Sequence, residues 1–283
     1  MTRRGFIASG AVALAGTALG IYEKKGLRPA FQVYGVRELC ARDLVGTLRA
    51  VRGMGYEGVE TGRFYGRSAA EWKSICADAG LVLCSLQLYP YNLVGANLAK
   101  TIRFCHESGC THIATAWYKG SAENLGDWQL VVEALNQAAE TCAREGVTIA
   151  YHNHDQEFRI KHGGRPVWDW LFGEGEDDRS LDQIFPVHRF SSCVLQEFDP
   201  NWCAVAGGNP MAVFARSAKR NPSIHMTVGH PACEWGKLLD IARSAGTRWV
   251  VAKPLNDPNG LAGMRKIKDA FDEFGSHADL MGM

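Results

Sequence analysis

The residues able to do chemistry in this chain stand where short apolar runs end. Tyr151 is followed by His152, Asn153, His154 and Asp155, with Glu157 close behind. The run from Cys193 to Phe198 contains Glu197 and leads into Asp199, Asn201 and Trp202. His225 lies inside Ser223-Ile224-His225-Met226-Thr227, and Lys253 follows Trp249-Val250-Val251-Ala252. Glu60 closes Gly58-Val59-Glu60, and Gln87 sits near the end of Leu81–Leu88. Carboxylates and imidazoles converging from separate runs make an oxygen and nitrogen site. Such a site suits Mn²⁺, Mg²⁺, Co²⁺ or Zn²⁺ with waters, and not copper or an iron–sulfur cluster. An ion held there polarises a carbonyl or holds an enediolate, while neighbouring carboxylates move protons at the adjacent carbons.

Each of these groups also has a structural reading. His152 and His154 share one side of an extended strand by the period of two, and a lone histidine is often a satisfied core residue. Asp199 before Pro200 can start a turn. His225 can be a core histidine, Glu60 a rim ion pair, and Trp202 either the wall of a sugar-sized pocket or a cover over the mouth of a barrel.

The elements that must position these residues alternate regularly. Extended runs at 31–36, 58–61, 81–88, 112–116, 147–151, 193–198, 223–227 and 248–252 are separated by amphipathic stretches. Helices are expected at 43–54, 68–80, 95–108, 124–145, 165–173, 209–219, 234–245 and 260–274. Ser68 with Glu71 reads as a capping box, and Gly55, Gly80, Gly109 and Gly146 read as helix stops. Eight strand–helix units in roughly 250 residues predict a single-domain α/β protein, a (β/α)₈ TIM barrel, over 29–283. A doubly wound sheet usually brings an early glycine-rich phosphate loop, and Tyr34-Gly35-Val36-Arg37-Glu38 after the first strand is not one. In a barrel the site collects at the C-terminal strand ends, where the polar residues above are found.

The 283 residues carry 31 Lys and Arg against 30 Asp and Glu, a net charge of +1. That balance argues against a nucleic-acid partner, which needs a basic excess or stripe. The nine cysteines have no Cys-x-x-Cys spacing and an odd count, so neither a zinc ribbon nor a disulfide framework is expected. The N-terminus reads Thr2-Arg3-Arg4-Gly5-Phe6-Ile7, followed by a small-residue apolar stretch. Residues 1–28 are read as a twin-arginine-type export signal, implying an exported, periplasmic protein. The apolar stretch falls short of the about 20 residues of a stable membrane span.

At three places the chain resembles the sugar phosphate isomerase/epimerase family of the xylose isomerase-like TIM barrel superfamily. These are Gln32-Val33-Tyr34-Gly35-Val36-Arg37 with Gly55–Glu60, Tyr151-His152-Asn153-His154-Asp155-Gln156-Glu157-Phe158, and Phe198-Asp199-Pro200-Asn201-Trp202 with Ala206–Pro210. The resemblance implies a divalent metal with one ligand from each of the last four strands, usually Glu, Asp, His and Glu. Asp199 and His225 take the sixth and seventh strand positions, and either Glu157 or His152 the fifth. Lys253 stands at the eighth, where a protonated amine is no ligand and repels a divalent ion. Gln87 stands where many relatives carry histidine. Either the metal site is rebuilt from Glu60, Glu157 and the histidines, or the metal is lost and Lys253 acts as electrophile or desolvated base.

The expected function is an exported, metal-assisted carbohydrate isomerase or epimerase acting beside a sugar carbonyl. The expected metal ligands are His152, Glu157, Asp199 and His225. Glu157, Lys253 and Glu60 are the expected catalytic groups, and His154, Trp202, Gln87 and Asn201 the substrate contacts. The alternatives are a keto-sugar lyase or hydratase and a non-catalytic sugar-binding barrel with a degenerate metal site. The partner is a small carbohydrate, and a homo-oligomer stays open.

Overall fold

The computed structural model describes residues 26–116, 125–173, 189–254 and 260–276. Eight parallel strands close into a barrel in chain order: β1 (Arg28–Gln32), β2 (Gly58–Thr61), β3 (Val82–Leu88), β4 (His112–Thr115), β5 (Thr148–His152), β6 (Val194–Phe198), β7 (Ser223–Met226) and β8 (Trp249–Ala252). β8 pairs back onto β1 with Arg28 opposite Trp249. The expected TIM barrel is therefore present. Of the signal segment expected at 1–28, residues 1–25 lie outside the described residues, and β1 takes up Arg28, one residue ahead of the boundary expected at 29. No helix among the described residues is long and apolar enough to cross a membrane.

Strand alternation divides the apolar residues into two sets. Phe31, Val59, Ile113, Ile149, Phe198, Ile224 and Val250 pack outward into the main core beneath helices such as Leu44–Arg52, Ala69–Ala79 and Trp235–Ala245. Ala30, Cys84, Trp249 and Val251 form a separate small cluster on the opposite, inward parity. Gly58 makes room for it, because a Cβ there would lie 2.6 Å from the Trp249 ring. Inward positions nearer the C-terminal ends are polar, and the register aligns them: Gln32 opposite Glu60, Glu60 opposite Ser85, His152 opposite Glu197, and Glu197 opposite Ser223.

Local signals hold where the chain acts locally. Ser68 and Glu71 form the reciprocal capping box, and Gly80 ends that helix with φ 70°, a left-handed conformation suited to glycine. Three expectations change. The first strand stops at Gln32, and Val33–Val36 is a 3₁₀ turn, with Gly35 beneath Pro254 and Met264 where a Cβ would not fit. The helix expected at 165–173 begins only at Val167, because Arg165–Pro166 pair antiparallel with Lys161–His162. A short helix, Pro200–Val205, opens directly on Asp199, whose side chain accepts from Trp202 N. All nine cysteines are free, and all except the half-buried Cys193 are buried.

Candidate active site

The centre is built around Glu197 and His225. Glu197 projects from β6, one position before the strand end, between its register partners His152 on β5 and Ser223 on β7. Its Oε1 accepts from Ser223 Oγ at 2.7 Å. Its Oε2 lies 3.2 Å from His225 Nε2 and 3.5 Å from His152 Nδ1. His225 Nε2 also lies 3.2 Å from Glu60 Oε1, so two carboxylates from opposite parts of the barrel share one imidazole edge. Gln32 Nε2 donates to Glu60 Oε1 at 2.9 Å and to Gln87 Oε1 at 2.6 Å, which fixes the β1–β2–β3 side of the site. Glu60, His152, Glu197 and His225 are all buried.

Burial this complete makes the charges depend on each other. Burial opposes a proton on His225, but Glu197 and Glu60 outweigh it and raise the imidazole to about 10. Burial alone would push Glu60 up, yet the charge and hydrogen bond of His225 bring it down to about 2. Burial and then the Glu60 charge raise Glu197 to about 7. His152 is held well below the usual imidazole range by burial and then by His225 and Lys253. Near neutral pH the centre is therefore an imidazolium paired with the Glu60 carboxylate, with Glu197 close to its titration midpoint and a neutral imidazole beside it.

A second layer lies above it. Lys253 Nζ donates to Asp199 Oδ2 at 3.2 Å, stands 3.5 Å from His152 Nε2, and lies 5.4 Å from the centre of the Trp202 ring. Asp199 Oδ1 accepts from Trp202 N, and His225 Nδ1 is 3.8 Å from Asp199 Oδ2. Asn153 clamps the Asp199 backbone in both directions, at 2.8 and 3.0 Å. The His154 ring stands 5.0 Å from that of His152 and 5.7 Å from that of Trp202. Asn201 Nδ2 and Trp202 Nε1 are buried donors with no hydrogen-bond partner among the described residues.

The structure thus brings Glu60, His152, Asp199, His225 and Lys253 together, with Gln87, His154 and Trp202 around them, while Asn201 is buried on the short helix that Asp199 caps. Glu157 does not enter the hydrogen bonds and ion pairs of this centre. Its two oxygens are taken by Tyr151 OH at 2.7 Å and His154 N at 2.8 Å. Tyr151 lies on the outward parity of β5 and packs on Phe190, so Glu157 is drawn to that side. The residue that completes the centre is Glu197, to which sequence reasoning gave no role. Its signal was present: it lies two residues before Asp199, on the same strand parity.

His152, Glu197 and His225 each offer a ligand atom within 4.8 Å of the others, and this group could hold a metal ion. Nδ1 of His152, Nδ1 of His225 and Oε2 of Glu197 are buried without a hydrogen-bond partner among the described residues. Orphaned buried polar atoms of this kind call for an unplaced partner. Two imidazoles and a carboxylate fit a divalent ion of the Mn²⁺, Co²⁺ or Zn²⁺ type, and its uptake would displace the proton from His225. Asp199 stands outside this group, committed to Lys253 and to its own helix.

A closed parallel barrel with this polar mouth defines the class, and comparison with known proteins names it. Residues 48–170 match the family model described as xylose isomerase-like TIM barrel, and the closed eight-stranded barrel of the chain is a TIM barrel. It is similar to a sugar phosphate isomerase/epimerase from Parabacteroides distasonis, with 20% identity, 89% of this chain and 94% of that chain covered, and a TM-score of 0.63. An L-ribulose 3-epimerase superposes with a TM-score of 0.62 at 13% identity, covering 91% and 98% of the two chains. A xylose isomerase-like TIM barrel protein from Mycobacterium smegmatis in complex with magnesium superposes with a TM-score of 0.59 at 13% identity, covering 90% and 98%. These identities establish the shared fold alone. No curated protein matches the chain in sequence.

Proposed function

We propose that this barrel is an exported, metal-assisted carbohydrate isomerase or epimerase that moves a proton at a carbon beside a sugar carbonyl. One observation carries the reading: Glu60, Glu197 and Asp199 meet His152, His225 and Lys253 within hydrogen-bonding range at the C-terminal end of the barrel. Burying three carboxylates costs several kcal/mol each unless they are paired, so a fold that gathers them is organised for charge chemistry. The isomerase and epimerase names of the superposed proteins agree with it.

His152, Glu197 and His225 would hold the ion, which when bound supplies the Lewis acidity that polarises the carbonyl. Glu60, held ionised by His225 and oriented by Gln32, takes the proton from the adjacent carbon and returns it. Lys253 presents its ammonium to a substrate oxygen, with Asp199 fixing its direction. Trp202 offers an aromatic face to the sugar, and the unpaired donors of Trp202 and Asn201 receive hydroxyls. Glu157 positions the His154 backbone and takes no part in the proton transfer. The paired arginines at 3 and 4 support export in folded form, which suits a chain with nine free thiols.

A second reading is a sugar-binding barrel without turnover. The Lys253–Asp199 ion pair favours it, since an ammonium occupies the place where the resemblance implies a metal-binding carboxylate. The test is to purify the chain, measure bound metal, and follow exchange of solvent deuterium into a panel of aldoses, ketoses and keto-sugars by NMR. Glu197→Gln should lose bound metal, while Asp199→Asn should keep more of it. Metal-dependent exchange supports the enzyme, and a new unsaturated product would assign it to elimination (the lyase or hydratase alternative). Sugar binding by calorimetry with no exchange anywhere in the panel would establish the second reading.

A further inference from the structure

A polar track runs from the centre toward the N-terminal side of the barrel, where side chains of this interior layer are usually apolar. Glu197 Oε1 accepts from Ser223 Oγ at 2.7 Å. Ser223 Oγ is 3.5 Å from His112 Nε2, and His112 Nδ1 is 2.8 Å from Thr148 Oγ1. Both Ser223 and His112 are buried, and the strand register sets the track: Ser223 opposite Glu197, Thr148 opposite His112. None of these bonds is local, since His112 and Ser223 lie 111 residues apart.

The directions of the protons follow from the end of the track. A carboxylate only accepts, so the single Ser223 proton goes to Glu197. The Ser223 oxygen then has only lone pairs to show to His112, so His112 must carry its proton on Nε2. Burial keeps this imidazole neutral, with its titration lowered to about 4, so Nδ1 accepts. Thr148 then donates to Nδ1, although the Thr111 carbonyl at 3.2 Å competes for it. Every donor points toward Glu197 Oε1, and Oε2 is left facing His152 and His225 without a hydrogen bond.

We infer that Ser223 and His112 are positioning residues that hold the Glu197 carboxylate by Oε1 so that Oε2 is presented to a divalent ion between His152 and His225. This rests on the metal site of the proposed function. Outer partners of this kind fix ligand orientation, and their loss typically weakens metal affinity about 10–100-fold.

The experiment is Co²⁺ titration of the purified full chain, read by visible d–d absorption, with far-UV circular dichroism confirming the fold. Ser223→Ala should weaken Co²⁺ binding about 10–100-fold and alter the absorption band, because the carboxylate is freed to rotate. Ser223→Thr, which keeps the hydroxyl, should recover the wild-type band. Ser223→Ala with wild-type affinity and spectrum overturns the inference while leaving the metal site standing. If Ser223→Ala does not fold, His112→Phe breaks the next link and should shift affinity and band in the same direction; unchanged binding there overturns the inference. Wild-type protein that binds no Co²⁺ removes the metal reading and this inference with it.

Discussion

Replacing Lys253 with Met leaves Asp199 as a carboxylate only 1% exposed with its cation removed. At 3.2 Å the pair attracts by about 5 kcal/mol at an effective dielectric of about 20. Part of this only offsets the burial of the ammonium. The variant loses the pair but keeps the buried carboxylate, and breaking such a pair costs about 3–5 kcal/mol. Trp202 N still bonds Oδ1 and His225 stays 3.8 Å from Oδ2, so the lower end, about 3 kcal/mol, is expected. In a domain of this size that is a fall in Tm of about 6–12 °C. Guanidinium and thermal unfolding at pH 7.5 of Lys253→Met, Asp199→Asn and the double variant measure it. The double variant should be more stable than the sum of the single losses predicts, by about 2 kcal/mol. A loss below about 1 kcal/mol, with additive single effects, would refute the idea that Lys253 neutralises Asp199.

Three further outcomes follow from the packing and the titrations. Gly58→Ala places a Cβ 2.6 Å from the Trp249 ring and 3.0 Å from Ala30 Cβ, and should cost about 1–3 kcal/mol in urea unfolding; an unchanged midpoint would contradict the packing inside the barrel. Burial raises the thiols of Cys40, Cys76, Cys110, Cys203 and Cys233 to about 12, so brief iodoacetamide treatment at pH 8 should label the half-buried Cys193 first by mass spectrometry. Equal labelling of Cys40 in folded protein would count against this. Burial also lowers His112 to about 4 and His154 to about 3, so between about pH 6.5 and 4 these two sites bind more protons in the unfolded chain than in the folded one, while Glu197, raised to about 7, works the other way above its ordinary range. The contribution of these histidines to stability should be lost as pH falls across that window, and His112→Asn should flatten the loss; a variant profile parallel to the wild type would exclude His112 as a source.

The barrel was readable because its signals are local. Capping by Ser68, the stop at Gly80 and the short apolar runs act within a few residues, and each appears in the structure. The end of β1 was misread because Val33-Tyr34-Gly35-Val36 has strand-like composition. What bends it is close packing of Gly35 under Pro254 and Met264, more than two hundred residues away in the chain. Pro200–Val205 was missed because Asp199 reads equally well as a turn starter before proline and as a helix cap.

By itself the sequence determined which chemistry the protein carries: imidazoles, carboxylates, an amide and an amine at the ends of parallel strands, with Lys253 in an unexpected place. It left undecided which of them meet. Glu157 and Glu197 are equally acidic on paper, yet Tyr151 draws the first away and Ser223 holds the second at the centre. Closure of the barrel sets Glu60 against His225 across 165 residues and Lys253 against Asp199 across 54. Contacts at such separations depend on strand register and on the shared burial of charges, and neither is encoded in any local stretch of chain.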